Sequence, residues 1–213
     1  MRIDLRIGVF GGTFDPIHSG HLVIAEDVRL KLGLEEVLFM PAGQPWLKAE
    51  RDVTEAAHRL EMAMLATALN PHFNVSTIEL DRPGPTYTVD TIAELKSGVA
   101  AGAELCFILG LDALAELPQW KDPERLVNMC RLVGLRRPGY EKIDFRPLES
   151  GVPNASERVM MVDTPLIDVS ATDIRSRVSR GISIRDLVPR VVEDYIAQHG
   201  LYRRGGKGAD HGQ

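Results

Sequence analysis

Two hydrophobic periods take turns along this chain. Residues 3–10 alternate, with Ile3, Leu5, Ile7 and Val9 on one side, and Phe10 leads into Gly11-Gly12; the pattern predicts a strand. Residues 19–32 switch to a helical period, with Leu22, Ala25, Val28 and Leu32 on one face and Gly33 as the stop. Residues 36–40 read as a short buried strand, and 41–53, with Pro41, Gly43 and Pro45, as a loop. A helix over 54–69 is expected, capped by Thr54, with Leu60, Ala63, Met64 and Ala68 on its apolar face. Residues 73–80 alternate as a strand, 82–85 (Arg-Pro-Gly-Pro) form a loop, and 88–97 read as a helix. The run 104–110 is apolar throughout, which suits a central strand buried on both faces. Further strands are expected at 131–136 and 158–162, with 138–157 as a surface loop. The end reads as helices at 171–179 and 189–198. Alternating strands and helices with buried strands predict an α/β fold, a parallel sheet with helices on both faces and a small C-terminal helical portion.

Composition narrows the function classes. The 213 residues carry 25 Lys plus Arg against 30 Asp plus Glu, a net charge of −5. This balance disfavours general nucleic-acid binding, which calls for a basic face. Hydrophobic residues at 44% and charged residues at 26% are ordinary for a globular chain. The expected organisation is one domain over 1–202, with helical residues from about 170, and a Gly-rich disordered tail at 203–213. No apolar run approaches the roughly 20 residues of a membrane span, so no membrane partner is expected. The start of the chain alternates rather than forming a secretory h-region. Cys106 and Cys130 form no CxxC and no framework, and read as buried thiols of a reducing cytoplasm.

The candidate chemistry lies between the first strand and the first helix, in Gly11-Gly12-Thr13-Phe14-Asp15-Pro16-Ile17-His18-Ser19-Gly20-His21. Two glycines allow close backbone approach to a phosphate. His18 and His21, three apart at a helix start, share a face where free N–H groups attract anions. The loop is neither GxGxxG nor GxxxxGK, which disfavours dinucleotide dehydrogenases and P-loop kinases. A zinc pair would need further ligands, and Asp15 is the one nearby candidate, so no metal site is expected. On local physics alone, a capped glycine turn with two incidental histidines stays equally open.

The whole string resembles the GGTFDPxHxGH signature of the nucleotidyltransferase superfamily. The resemblance implies a Rossmann-like nucleotidyltransferase fold in which His18 and His21 bind a nucleoside triphosphate and stabilise the transition state. Gly11, Gly12, Thr13 and Phe14 would complete the ATP loop. Val169-Ser170-Ala171-Thr172-Asp173-Ile174-Arg175 resembles the superfamily's ISSTxIR motif. Ser170, Thr172 and Arg175 would then face phosphates, while Ala171 lacks the second serine's hydroxyl.

Three further segments resemble the bacterial nicotinate-nucleotide adenylyltransferase family. Gly84-Pro85-Thr86-Tyr87-Thr88-Val89-Asp90-Thr91 is similar to its GPSYTVDT loop, which implies nicotinate recognition around Thr86 and Tyr87. Gly110-Leu111-Asp112 through Leu117-Pro118-Gln119-Trp120 resembles GxDxLxxLPxW. There Gly110 admits a ligand ring, Asp112 accepts from ribose hydroxyls of ATP or acceptor, and Trp120 offers a face for the pyridine. Pro45-Trp46-Leu47-Lys48 stands where the family often has Pro-His-Lys, so Lys48 is the expected phosphate cation, and the usual His is Leu47. Leu135–Tyr140 and the ending Val188–Tyr202 also match. The resemblance spans residues 7–202. It implies adenylyl transfer from ATP to nicotinate mononucleotide, with Mg²⁺ arriving on ATP and His18, His21, Lys48 and Arg175 as the catalytic set. Phosphopantetheine adenylyltransferase is the nearest alternative, cytidylyltransferases are further off, and a nucleotide-sensing module without catalysis is the alternative from another class. The oligomeric state stays open, a homo-oligomer included.

Overall fold

A computed structural model describes residues 5–45, 53–136 and 145–203. The expected tail beyond Arg203, the Trp46-Leu47-Lys48 stretch and the 137–140 part of the Leu135–Tyr140 match lie outside the described residues.

Six strands form one parallel sheet: β1 (Arg6–Gly12), β2 (Glu36–Pro41), β4 (Phe73–Val75), β6 (Glu104–Gly110), β7 (Arg131–Arg136) and β8 (Val159–Asp163). Their order is β4-β2-β1-β6-β7-β8. The chain first builds outward from β1 through β2 to β4, then returns to the other side of β1. β1 and β6 are therefore the topological switch point, and ligands in such sheets bind outside the carboxyl ends of these strands. Gly11, Gly12 and Gly110 stand there.

The alternation along β1 and β6 divides two cores. Phe10, Cys106 and Ile108 face one side with α1 (Ser19–Leu32), α2 (Ala56–Thr67), α7 (Ala171–Ser179) and α8 (Arg190–Gln198). Ile7, Val9, Leu105, Phe107 and Leu109 face the other with α3 (Thr88–Gly98), α4 (Leu111–Glu116), α5 (Pro123–Met129) and α6 (Arg146–Gly151). Leu105 through Leu109 are all buried, which matches the expectation of a strand covered on both faces. Each such side chain contributes about 1.5–3 kcal/mol through burial.

Four local expectations change. The strand expected over 73–80 stops at Val75, because Thr77 starts a turn: Leu80 and Asp81 N–H both donate to the Thr77 carbonyl, and the Thr77 hydroxyl donates to Asp81 at 2.6 Å. The loop 41–53 contains β3 (Gln44–Pro45), which pairs in parallel with β5 (Pro85–Thr86) as a second small sheet. Helix α2 has its buried stripe at Arg59, Met62, Ala63 and Thr67, while Met64 is 49% exposed. The stripe is rotated because two polar residues lie on it: Arg59 bonds to loop carbonyls, and Thr67 donates its hydroxyl to Ala63 O at 2.9 Å. In that same helix the expected cap also differs: Thr54 caps nothing with its side chain, and its backbone N–H donates to Asp15 Oδ2 at 3.2 Å.

The fourth change is in the expected surface loop 138–157. Residues 145–158 form α6 and a 3-10 turn at Ala155–Arg158, and Leu148, Val152 and Ala155 are buried in the second core. Their spacing of four and three is a helical stripe, obscured in sequence by neighbouring Pro and Gly. Leu148→Ala should cost about 2–5 kcal/mol, the range for a buried Leu, rather than the ±0.5 kcal/mol of a surface loop. Urea unfolding of the variant beside the parent measures this.

Candidate active site

The crevice at the switch point opens into a cavity of about 200 Å³. Phe10, Gly11 and Gly12 of β1 and Leu109 and Gly110 of β6 line its floor, and Glu79, Thr88, Phe107 and Trp120 its wall. The signature segment starts in that floor, at Gly11 and Gly12, and runs on to the start of α1. His18 is the N-cap of α1, in extended backbone, and 7% exposed. Its ring stacks on that of His21 at 3.6 Å between centroids. Gly20 leaves the pair room: a Cβ there would stand 3.1 Å from His18 Nδ1 and press on the ring.

His21 is partly buried, with Phe14 edge-on at 5.0 Å and Phe10 at 6.0 Å. Phe14 reaches that position through a left-handed backbone, φ 50°. The His18 N–H donates to His21 Nδ1 at 3.2 Å. That bond assigns the ring proton to Nε2, so His21 offers a neutral N–H donor. Burial, and secondarily the neighbouring His18, hold its pKa well below the usual histidine value. It therefore presents a donor rather than a standing charge.

The C-terminal motif meets the signature directly. Ser170 caps α7 by accepting from Asp173 N at 3.1 Å, as its spacing implied. Arg175 donates from Nη1 to the Asp15 carbonyl at 2.6 Å and from Nη2 to Thr172 Oγ1 at 3.4 Å. Asp15 is 5% exposed, and its carboxylate accepts from the Tyr202 hydroxyl at 2.7 Å and from Thr54 N. Burial and Asp15 push the Tyr202 pKa far up, so the phenol stays a neutral donor. The Thr13 carbonyl is fixed by Arg59.

On the other wall, Trp120 packs edge-on against Phe107 at 6.2 Å, and its indole N–H is buried without a partner among the described residues. Thr86 is buried in β5, and Tyr87 precedes α3 with Lys121 Nζ 4.4 Å above its ring. Asp112 is exposed on the first turn of α4 and is not part of the cavity wall. Lys48 lies outside the described residues.

Three residues join the site without having been singled out. Arg59, 2% exposed, donates to the carbonyls of Thr54, Thr13, Ala42 and Gly43 at 2.9, 2.9, 2.7 and 3.4 Å. Its sequence signal was a cation on the α2 stripe. Tyr202 was noted only within the chain's ending. Glu79, in the cavity wall, gave no signal beyond one acid between Ile78 and Leu80.

A parallel sheet with its cavity at the switch point, a two-histidine helix start beside it and a second, Ser-capped helix start tied to the same loop define a nucleotidyltransferase-type α/β protein. Residues 9–177 match the cytidylyltransferase-like family model. Similar chains include one from Thermomicrobium roseum, 50% identical over 93% of this chain and 92% of its own, and one from Acidothermus cellulolyticus, 47% identical over 93% and 95%. Both carry the name probable nicotinate-nucleotide adenylyltransferase. The Plasmodium falciparum nicotinic acid mononucleotide adenylyltransferase complexed with NaAD superposes with a TM-score of 0.73 at 21% identity, over 93% of this chain and 97% of that one, and so shares the fold. The chain belongs to the cytidylyltransferase-like family and, within it, to the nicotinate-nucleotide adenylyltransferases.

The depressed His21 pKa has a consequence for stability. Below the ordinary histidine value of about 6.5, the unfolded chain binds a proton at this position that the folded chain does not. Stability is then full above about pH 6.5 and falls on acidification, by up to about 1.4 kcal/mol per pH unit for one such group. Urea unfolding at pH 7.5 and 5.5 should show a smaller loss in His21→Asn than in the parent.

Proposed function

We propose that the chain transfers the adenylyl group of ATP to nicotinate mononucleotide, giving deamido-NAD (nicotinate adenine dinucleotide) and pyrophosphate, in NAD biosynthesis. The observation that carries this reading is the stacked His18–His21 pair at the α1 N-terminus, beside a switch-point cavity lined by Thr88 and Trp120. The names borne by relatives up to 50% identical support it.

In the reaction, a phosphate oxygen of the acceptor forms a bond to the α-phosphorus of ATP. The bond from that phosphorus to the bridging oxygen breaks, and pyrophosphate leaves with the electron pair. The acceptor is the nucleophile, so no covalent enzyme intermediate is needed. Neither cysteine is suited to form one: both are buried, and burial pushes their thiols up to about 11 at Cys106 and about 12 at Cys130. Catalysis is then positioning and stabilisation of developing charge.

His18 and His21 donate to the triphosphate at the helix start, over Gly11, Gly12, Thr13 and Phe14. Arg175, with Ser170 and Thr172, approaches from the α7 cap, and Lys48 supplies a cation. Gly110 leaves room for the nucleotide at the end of β6. Asp112, exposed at the rim, would reach a ribose only where the nucleotide extends beyond the cavity. Thr86, Tyr87 and Trp120 take the pyridine nucleotide. Mg²⁺ accompanies ATP as part of the substrate. Asp15 is a poor candidate for holding it, because both its carboxylate oxygens are engaged by Tyr202 and Thr54. The buried free thiols suit a reducing cytoplasm, where we place the reaction.

Pyrophosphate release from ATP and Mg²⁺ with separate acceptors tests the reading. Nicotinate mononucleotide should support turnover well above nicotinamide mononucleotide and phosphopantetheine. Preference for phosphopantetheine would keep the histidine chemistry and overturn the acceptor. ATP binding without release for any of the three would favour a sensing module.

A further inference from the structure

Among the described residues, Glu79 is the one acidic side chain in the cavity wall. It is 8% exposed, and three segments of chain converge on it. Thr91 Oγ1, on the first turn of α3, donates to Glu79 Oε1 at 3.1 Å. Burial raises the pKa of this carboxylate, and the Thr91 and Thr86 side chains, the latter in β5, and the Gly43 backbone, beside β3, work against that rise. Arg82 extends the set: its Nη1 donates to Thr91 Oγ1 at 2.9 Å, and its Nη2 to Glu94 at 2.5 Å. The packing is tight. A Cβ at Gly43 would stand 2.3 Å from the Glu79 carbonyl oxygen and 3.0 Å from Thr86 Cγ2, so only glycine fits.

A buried carboxylate is tolerable only when its lone pairs are taken up. Here they face hydroxyl and backbone groups of Thr91, Thr86 and Gly43, in the segments that supply the lining residues Thr88 and Ala42. The strand pairs β1–β2 and β1–β6 hold the floor in place without help. The two-residue strands β3 and β5 have no such support, since a ladder so short closes few hydrogen bonds of its own. Something must fix where Thr86 and Thr88 stand relative to Trp120.

We propose that Glu79 is a positioning residue for the acceptor nucleotide: by binding Gly43, Thr86 and Thr91 together, it sets the wall against which the acceptor, rather than ATP, is held. The inference rests on the acceptor assignment above. It places the discriminating contact away from the histidines. Losing the carboxylate would therefore weaken one substrate selectively. In Glu79→Gln the shape is kept, but an NH₂ replaces one acceptor oxygen and leaves one of the donors unmatched.

Steady-state kinetics with each substrate varied in turn test this, on the parent, Glu79→Gln, Thr86→Val and the double variant. The expected result is a KM for nicotinate mononucleotide raised about tenfold or more, the scale for leaving a buried donor unpaired. KM for ATP should stay within about twofold, and kcat should change less than the acceptor KM. The double variant should be little worse than Glu79→Gln alone, because interacting groups are non-additive. Thr86→Ser, which keeps the hydroxyl, should recover most of what Thr86→Val loses. Thermal unfolding of each variant shows whether it is folded; if Glu79→Gln is not, the Thr86 pair carries the same comparison. Equal rises in both KM values, unchanged KM values, or additive losses would overturn the role of Glu79. A parent enzyme without turnover on nicotinate mononucleotide would instead overturn the acceptor assignment.

Discussion

The buried guanidinium of Arg59 is the constraint on which the site depends. It gives its donors to the carbonyls of Thr13 in the signature segment, Ala42 and Gly43 after β2, and Thr54 before α2. Burial works against its charge, and the Asp15 carboxylate offsets part of that cost. A guanidinium presents five donors in a fixed plane, and an ammonium cannot span carbonyls from three segments in the same way. The loops around the crevice therefore keep one arrangement. Asp15 carries this further, because Tyr202, Thr54 and Arg175 all bond to it, one of them through its main-chain carbonyl. The last helices of the chain are thereby latched to the first loop.

This frame explains why the site needs little reactive chemistry of its own. His18 and His21 are stacked at a helix start, with Gly20 too small to disturb them, and His21 is held as a neutral donor. Donors fixed in advance need no reorganisation when charge develops on a transferring phosphoryl group. The signature, the α7 cap and the Arg59 staple are then parts of one device. Sequence separation of 160 residues between Asp15 and Arg175 is closed by a single 2.6 Å hydrogen bond.

Much of this was legible in the chain. The apolar run 104–110, the helix stop at Gly33 and the Ser170–Asp173 capping pair each follow from local physics, and the structure has each of them. The signature string located the crevice. Other features were hidden because tertiary partners decide them. Arg59 reads as a solvated charge until the carbonyls around it are placed. Met64 looks like a core residue until Arg59 and Thr67 claim the buried stripe. Strand β3 depends on pairing with β5 some forty residues away. Leu148, Val152 and Ala155 carry a helical spacing, but Pro and Gly around them signal a loop. Glu79 has meaning only once Gly43, Thr86 and Thr91 are seen to surround it.

The central claim is that a preorganised histidine pair, rather than a covalent nucleophile, carries the transfer. The direct measurement is the rate of adenylyl transfer at saturating ATP and nicotinate mononucleotide in His18→Ala, on protein whose unfolding midpoint has been compared with the parent's. The account predicts a loss on the order of 10²–10³, the scale for removing one transition-state donor, in a protein that remains folded. A folded His18→Ala protein turning over near the parent rate would contradict it.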